Sequence, residues 1–160
     1  MRYGLSLLVL LAVTACSRDP EPSTVAAPAT AATTHTPTAD DSVAAAQQSP
    51  GKSPVTLRFV LESKPVVGSA TPVRLDFTAS EPITQLAVRA EGTDLAVDAA
   101  SASFVLALPE ADDVVSHSIA VTPQVAGFSQ LIVRVLPPGD GAAEIVYAIP
   151  LMADAAPATK

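Results

Sequence analysis

The chain has 160 residues and a formal net charge of −7; 49% of its residues are hydrophobic but only 4% are aromatic. The chain has nine Lys and Arg but 16 Asp and Glu, and this excess of negative charge would repel the phosphate backbone of a nucleic acid. Nucleic-acid binding is therefore not expected. A single cysteine excludes an intramolecular disulfide and a thiolate metal cluster, and the length suits one domain with a tail.

Residues 1–15 have the pattern of an export signal. Arg2 supplies the positive charge, and an apolar stretch runs from Leu5 to Val13. This stretch of about ten residues is half as long as the ~20 residues that a membrane-spanning helix needs. No later stretch is long enough either, so the sequence predicts no transmembrane helix.

The residues that follow the apolar stretch are Val13-Thr14-Ala15-Cys16, an aliphatic residue and two small residues before a cysteine. They resemble the lipobox of bacterial lipoproteins, in which the cysteine thiol is joined to a diacylglycerol by a thioether bond. The resemblance implies cleavage before Cys16, acylation of the new amine by a fatty acid such as palmitate, and anchoring to the membrane. In such lipoproteins an Asp directly after the cysteine implies retention in the inner membrane. This chain has Ser17 at that position, which implies sorting to the outer membrane, with the domain facing the periplasm.

An alternative reading of the cleavage site stays open. Val13 and Ala15 also suit ordinary signal peptidase, which would release a soluble protein with a free N-terminal cysteine. Acylation is favoured because an unpaired thiol is a liability in an oxidising compartment. We therefore predict a lipoprotein signal peptide over residues 1–15 and lipidation of Cys16.

Residues 16–53 are predicted to form a disordered tether behind the lipidated cysteine. Of the 37 residues from 17 to 53, 25 are Ala, Pro, Ser or Thr, and no helical or strand period is present. Such a segment buries too little apolar surface to offset the entropy of ordering. As a flexible coil it would hold the domain roughly 30–37 Å from its anchor.

Two catalytic look-alikes occur near the end of the tether. Residues 46–53 nearly match the phosphate-binding pattern GxxxxGK[ST], but Ala46 replaces its first glycine. Residues 49–52 match S-x-x-K, but Pro50 and Gly51 prevent the helix that this motif requires. Neither pattern predicts an enzyme.

From Pro54 onward apolar residues alternate with polar ones, as expected for half-buried strands. One apolar face per strand and frequent Pro or Gly turns indicate an all-β domain of two antiparallel sheets packed face to face. Eight segments carry this alternation: 55–61, 73–77, 86–90, 95–97, 104–108, 115–121, 131–135 and 145–151.

The number and spacing of these segments resemble an immunoglobulin-like β-sandwich of seven or eight strands over residues 54–152. Pro123 and Gly127 form a corner like that of the penultimate hairpin in many bacterial domains of this kind. The chain departs from antibody domains because it has no cysteine pair and no tryptophan. An up-and-down barrel or a jelly roll is the alternative fold, and residues 153–160 are predicted to be a disordered tail.

The domain offers few residues for metal or catalytic chemistry. Glu110, Asp112 and Asp113 form an acidic loop without the spacing or glycine of a calcium loop. His117 lies on the inward parity of its strand, and nitrogen or sulfur metal sites normally need three or four ligands. We therefore predict no catalytic site, no metal site and no cofactor, and expect the protein not to be an enzyme.

Surface loops and strand edges remain as candidate contact sites. The loop between the last two strands contains Pro138, Gly139, Asp140 and Gly141, and the corresponding loop often contacts partners in immunoglobulin-like domains. A sheet edge is a second route, with the short segment 95–97 as a candidate edge. The expected function is a membrane-anchored, non-enzymatic module that binds or positions another envelope protein. The alternative is an extracytoplasmic carrier or sensor of a small ligand or metal that uses His117 and the acidic loop.

Overall fold

The structure, a computed structural model, describes residues 41–139 and 141–158. The predicted signal peptide, Cys16 and the tether as far as residue 40 lie outside the described residues, as does Asp140 of the predicted contact loop. The predictions that fall on these residues therefore stay predictions.

The described part of the chain is all-β and contains no α-helix. The eight alternating segments all form strands, which confirms the predicted fold class, and two shorter strands precede them. The ten strands are β1 Val43–Ala44, β2 Ala46–Gln47, β3 Val55–Leu61, β4 Thr71–Ala79, β5 Ile83–Thr93, β6 Leu95–Val97, β7 Ser103–Leu108, β8 Val115–Pro123, β9 Gly127–Leu136 and β10 Ile145–Ala153.

The strands form two antiparallel five-stranded sheets. The first sheet has the order β1-β3-β4-β8-β6, and the second has the order β2-β10-β9-β5-β7. Within these, β3-β4-β8-β6 and β10-β9-β5 follow the strand orders of the two sheets of an immunoglobulin-like sandwich, with β7 added beside β5. The arrangement is compatible with a sandwich of that kind.

The core lies between the sheets because each strand turns alternate side chains inward. Strand β4 shows the pattern clearly: Val73, Leu75 and Phe77 are fully buried. Leu131 and Val133 of β9 and Ile149 of β10 are equally buried on the inner face of the second sheet. Aliphatic and β-branched residues therefore make up most of the core, as the low aromatic content indicates.

The chain crosses from one sheet to the other between β5 and β6. At this crossing a Cβ atom on Gly92 would lie 2.0 Å from the carbonyl oxygen of Leu95, so no other residue fits without movement of the backbone. Asp94 has a positive φ of 57°, a conformation that Asp adopts more readily than most residues. This tight reversal places Leu95 in the core, 5% exposed.

The folded part begins earlier than the predicted boundary at Pro54. Strand β1 pairs with β3 and β2 pairs with β10, so residues 43–47 extend both sheets. Arg58 Nε donates to Ser42 Oγ at 2.7 Å, and the N–H of Ala45 donates to the carbonyl of Leu57 at 2.9 Å. Composition did not reveal these strands because backbone hydrogen bonds hold them and Val43 stays exposed.

The C-terminal boundary also differs from the prediction. Ala153 ends β10 and is buried, whereas the sequence predicts that the disordered tail begins at this residue. Asp154 forms a parallel bridge with Val66, and its N–H donates to the carbonyl of Pro65 at 3.0 Å. Lys64 Nζ lies 2.6 Å from an Asp154 carboxylate oxygen. The pairing with residues 64–67 continues the ordered structure beyond the last apolar residue of the alternation.

Candidate partner-binding surface

The loop between β9 and β10 forms one wall of a surface groove of about 470 Å³. Pro138, Gly139 and Gly141 of the predicted contact loop line this groove, and Asp140 lies outside the described residues. Gly139 and Gly141 have positive φ values of 123° and 80°, which favour glycine and let the chain turn tightly. The remaining lining residues are Gln85, Ala87, Leu136, Pro137 and Ala142.

An apolar row runs from the groove across the outer face of the second sheet. Ala87 of β5 lies opposite Leu136 of β9 on one side and Val105 of β7 on the other. Val105 is 59% exposed and Leu136 is 48% exposed, although both are large hydrophobic residues. These adjacent exposed apolar side chains make the row a candidate contact site.

A network of charged side chains borders this row. Arg134 Nη1 donates to a Glu144 carboxylate oxygen at 2.9 Å, and Arg134 Nε donates to Glu91 at 3.5 Å. Glu91 also pairs with Arg89 Nε at 2.9 Å. The hydrogen bond that Arg134 donates to Glu144, and to a lesser extent the one it donates to Glu91, raises the pKa of the guanidinium. The network gives the apolar row a polar rim, an arrangement common to protein interfaces.

His117 is half-buried and packs against an aromatic ring. Its imidazole stacks on Phe104, with ring centroids 3.7 Å apart and an interplanar angle of 23°. Phe104 in turn meets Phe77 edge-on at 6.2 Å. Burial lowers the pKa of His117. The ring therefore bridges β7 of one sheet and β8 of the other and closes this side of the core.

The acidic loop does not bring metal ligands together. Asp112 has a positive φ of 62°, and its N–H donates to the carbonyl of Ala79 at 2.8 Å. Glu110, Asp112 and Asp113 are all exposed. Across residues 41–139 and 141–158, no group of three or more His, Cys, Asp or Glu side chains is placed to hold a metal ion. No observation therefore favours the metal-carrier alternative.

The serines of the two catalytic look-alikes, Ser49 and Ser53, form hydrogen bonds that hold the chain locally. Ser49 Oγ accepts the N–H of Val146 at 3.2 Å, and residues 49–51 lie in bends. Ser53 Oγ contacts the buried Tyr147 hydroxyl at 3.0 Å, and both hydroxyls donate to the carbonyl of Val55. Burial raises the pKa of Tyr147. These hydroxyls fasten the segment before β3 to β10.

The sheet edges are unequal in length and composition. Strand β6 is an edge of the first sheet, the position predicted for residues 95–97. Strand β7, residues 103–108, is an edge of the second sheet and is twice as long. Its sequence SFVLAL contains no charge and no proline, the features that commonly protect an edge. Sequence reasoning missed β7 as an edge because strand order is a property of the tertiary structure.

No helix among the described residues is long and apolar enough to span a membrane. Comparison of the sequence with protein-family models finds no match, and comparison with curated proteins finds none either.

Proposed function

We propose that this protein is a non-enzymatic lipoprotein of the bacterial outer membrane whose immunoglobulin-like domain binds another envelope protein in the periplasm. In this proposal Cys16 carries the lipid, and the residues between Cys16 and the sandwich are the tether. The groove beside Pro138–Gly141, together with the apolar row, is the contact surface for the partner.

The groove and its apolar row carry the proposal. Leu136 places a large apolar side chain at the rim of the groove, where it is 48% exposed. Pro137 and Pro138 restrict the loop before binding, so less conformational entropy is lost when a partner docks. The charged network of Arg89, Glu91 and Arg134 supplies the polar rim. A preformed apolar contact with a polar rim suits a protein partner.

The lipobox supports the proposed location. Val13-Thr14-Ala15-Cys16 provides the thiol that lipidation requires and the small residues that its peptidase accepts. Two or more acyl chains give stable membrane anchoring, since each buried methylene contributes about 0.8 kcal/mol. An exported β-sandwich on an anchored tether suits a binding module.

The experiment is crosslinking in cells that express the full chain, followed by mass spectrometry of the recovered proteins. We expect Leu136→Glu to reduce recovery of the partner at least tenfold, because a charge would enter the apolar part of the contact. Met152→Glu is the matched control, since Met152 is also an exposed residue on the second sheet but lies outside the groove.

The comparison between the two variants decides the proposal. Recovery of the same partner from the wild type and Met152→Glu, with loss from Leu136→Glu, would support the groove as the contact surface. Equal recovery from all three chains would show that the groove is not the contact. Absence of any reproducible partner would count against a binding function.

A further inference from the structure

Strand β7 leaves one side of its backbone without a neighbouring strand. The N–H of Ala90 donates to the carbonyl of Ala102 at 2.7 Å, so position 102 faces β5. The backbone N–H and C=O groups of successive residues point to opposite sides of a strand. Those of positions 104 and 106 therefore also face β5. The N–H and C=O groups of Ser103, Val105 and Ala107 point away from the sheet.

The side chains at these three positions also lie outside the core. Ser103, Val105 and Ala107 are exposed, while Phe104 and Leu106 are half-buried and pack against the core. A strand added beside β7 would continue the apolar row of Leu136, Ala87 and Val105 on its outer face. On its inner face it would cover Phe104 and Leu106. The edge therefore fits a short uncharged strand with small outward residues and large inward ones.

Strand β7 itself has this composition, with Val105 and Ala107 outward and Phe104 and Leu106 inward. Two copies placed antiparallel about a two-fold axis at Val105 would set Val105 opposite Val105 and Ser103 opposite Ala107. The two-fold axis also sets Ala107 opposite Ser103, so three pairs can each exchange two backbone hydrogen bonds, about six in all. The segment carries no charge, so no like charges meet at the axis.

The other edges of the sandwich are covered in part by the chain, over residues 58–59 of β3, 147–148 of β10 and 121–123 of β8. Strand β1 lies against β3 and β2 lies against β10, so the segment before β3 pairs with one edge of each sheet. On the opposite side β6 has three residues and β7 has six. Of the four strands that end the sheets, β7 is the longest, and it contains no proline, whereas the part of β10 beyond β2 contains Pro150.

We propose that the protein self-associates through antiparallel pairing of β7 with β7 of a second copy, which joins the two second sheets into one ten-stranded sheet. A contact made by one six-residue strand from each copy is small, so the dimer is expected to be weak. Anchoring to the same membrane would raise the effective concentration of the copies, and this reinforcement alone rests on the proposed lipid anchor.

The first test is disulfide trapping in cells that express the full chain, with a thiol oxidant added to take up the two electrons released when the disulfide forms. The proposed axis sets the two residues 105 directly opposite each other, with Cα atoms about 5.5 Å apart, within disulfide range. We expect Val105→Cys to yield a covalent dimer that a reductant reverses. Val125→Cys is the matched control, since Val125 is also an exposed valine but lies in the turn between β8 and β9. Equal dimer yields from the two variants would overturn the proposal.

The second test distinguishes self-pairing from pairing with a different protein. Two differently tagged full-length copies are expressed together and their co-purification is measured. When both copies carry Val105→Lys, we expect co-purification to fall at least tenfold, because like charges would meet at the axis. When one copy carries Val105→Lys and the other Val105→Glu, co-purification should return.

Each result of the charge exchange decides a separate point. Undiminished co-purification of the two Val105→Lys copies would overturn the proposed contact. Loss in both combinations would exclude the two-fold axis at Val105. Both tests measure association between copies of the chain, whereas the groove is tested separately by Leu136→Glu, which leaves β7 unchanged. Failure of β7 pairing would therefore not decide the groove proposal. Conversely, loss of the envelope partner in Leu136→Glu cells would not affect trapping at position 105.

Discussion

At the residue scale, the stack of His117 on Phe104 joins two strands that belong to different sheets. Phe104 lies on the edge strand β7, and His117 lies on β8 opposite Leu75 of β4. The rings close the side of the sandwich where β7 has no further strand beside it. Alternation alone predicted that His117 would face inward, but its partner could not be predicted, because ring contact between sheets depends on how the sheets pack.

This stack predicts a loss of stability on mild acidification. Burial lowers the pKa of His117 below its usual value of 6.5, so near pH 6 the unfolded chain binds more protons than the folded chain. The stability that the neutral ring contributes is complete above pH 6.5 and is lost as the pH falls through the folded pKa. We expect the thermal denaturation midpoint to decrease as the pH is lowered from about 7.5 to about 5.5.

His117→Phe is the appropriate comparison for this prediction. The substitution keeps an aromatic ring against Phe104 but removes the titrating group. Denaturation measured across the same pH range should show a smaller fall in midpoint than in the wild type. An equal fall in both chains would assign the pH dependence to other groups.

At the element scale, the reversal from β5 to β6 depends on a single close approach. Alternation predicted both strands, yet gave no sign that they belong to different sheets. The carbonyl oxygen of Leu95 occupies the space that a side chain on Gly92 would need. The alternation ended at residue 90 and did not indicate this approach, because the approach forms only when the two sheets are in place.

Gly92→Ala is expected to destabilise the fold by roughly 2–4 kcal/mol, because the new Cβ would force the backbone apart. Gly68→Ala is a useful comparison. Gly68 has a positive φ of 76°, but a Cβ there would meet nothing within 4 Å. Strain in φ alone should cost about 1 kcal/mol. Chemical denaturation should give a lower free energy of unfolding for Gly92→Ala than for Gly68→Ala. The reverse order would show that the close approach relaxes at little cost.

The two shortest strands show where composition fails as a guide. Residues 43–47 are Ala-rich and largely exposed, which is also the composition of a linker. Their order comes from backbone pairing with β3 and β10 and from the bonds of Arg58 to Ser42. Such pairing needs an edge that only the assembled sheets supply.

At the scale of the whole molecule, the expected anchor and the proposed contact surfaces lie in different parts of the chain. Cys16 belongs to the first segment of the sequence, whereas the groove and β7 belong to the sandwich. This separation predicts that location and binding can be altered independently. Loss of the anchor should leave the fold and its surfaces intact.

Cys16→Ala is expected to abolish lipid attachment, because the thiol that forms the thioether is removed. The mass of the purified chain should lose the lipid increment, and the protein should leave the membrane fraction. Ser17→Ala is a suitable control, since it alters a neighbouring small residue and keeps the thiol. Unchanged mass and membrane association in Cys16→Ala would exclude lipidation at this position.

The sequence alone determined the all-β class, because side chains alternate along a strand whatever the strand's neighbours are. It also singled out the loop at residues 138–141, since proline and glycine mark turns through local backbone preference. Only the tertiary structure decided which strands are edges, that Leu136 and Val105 share a row with Ala87, and that His117 meets Phe104. These features depend on sheet order and on packing between the sheets, which join residues far apart in the chain.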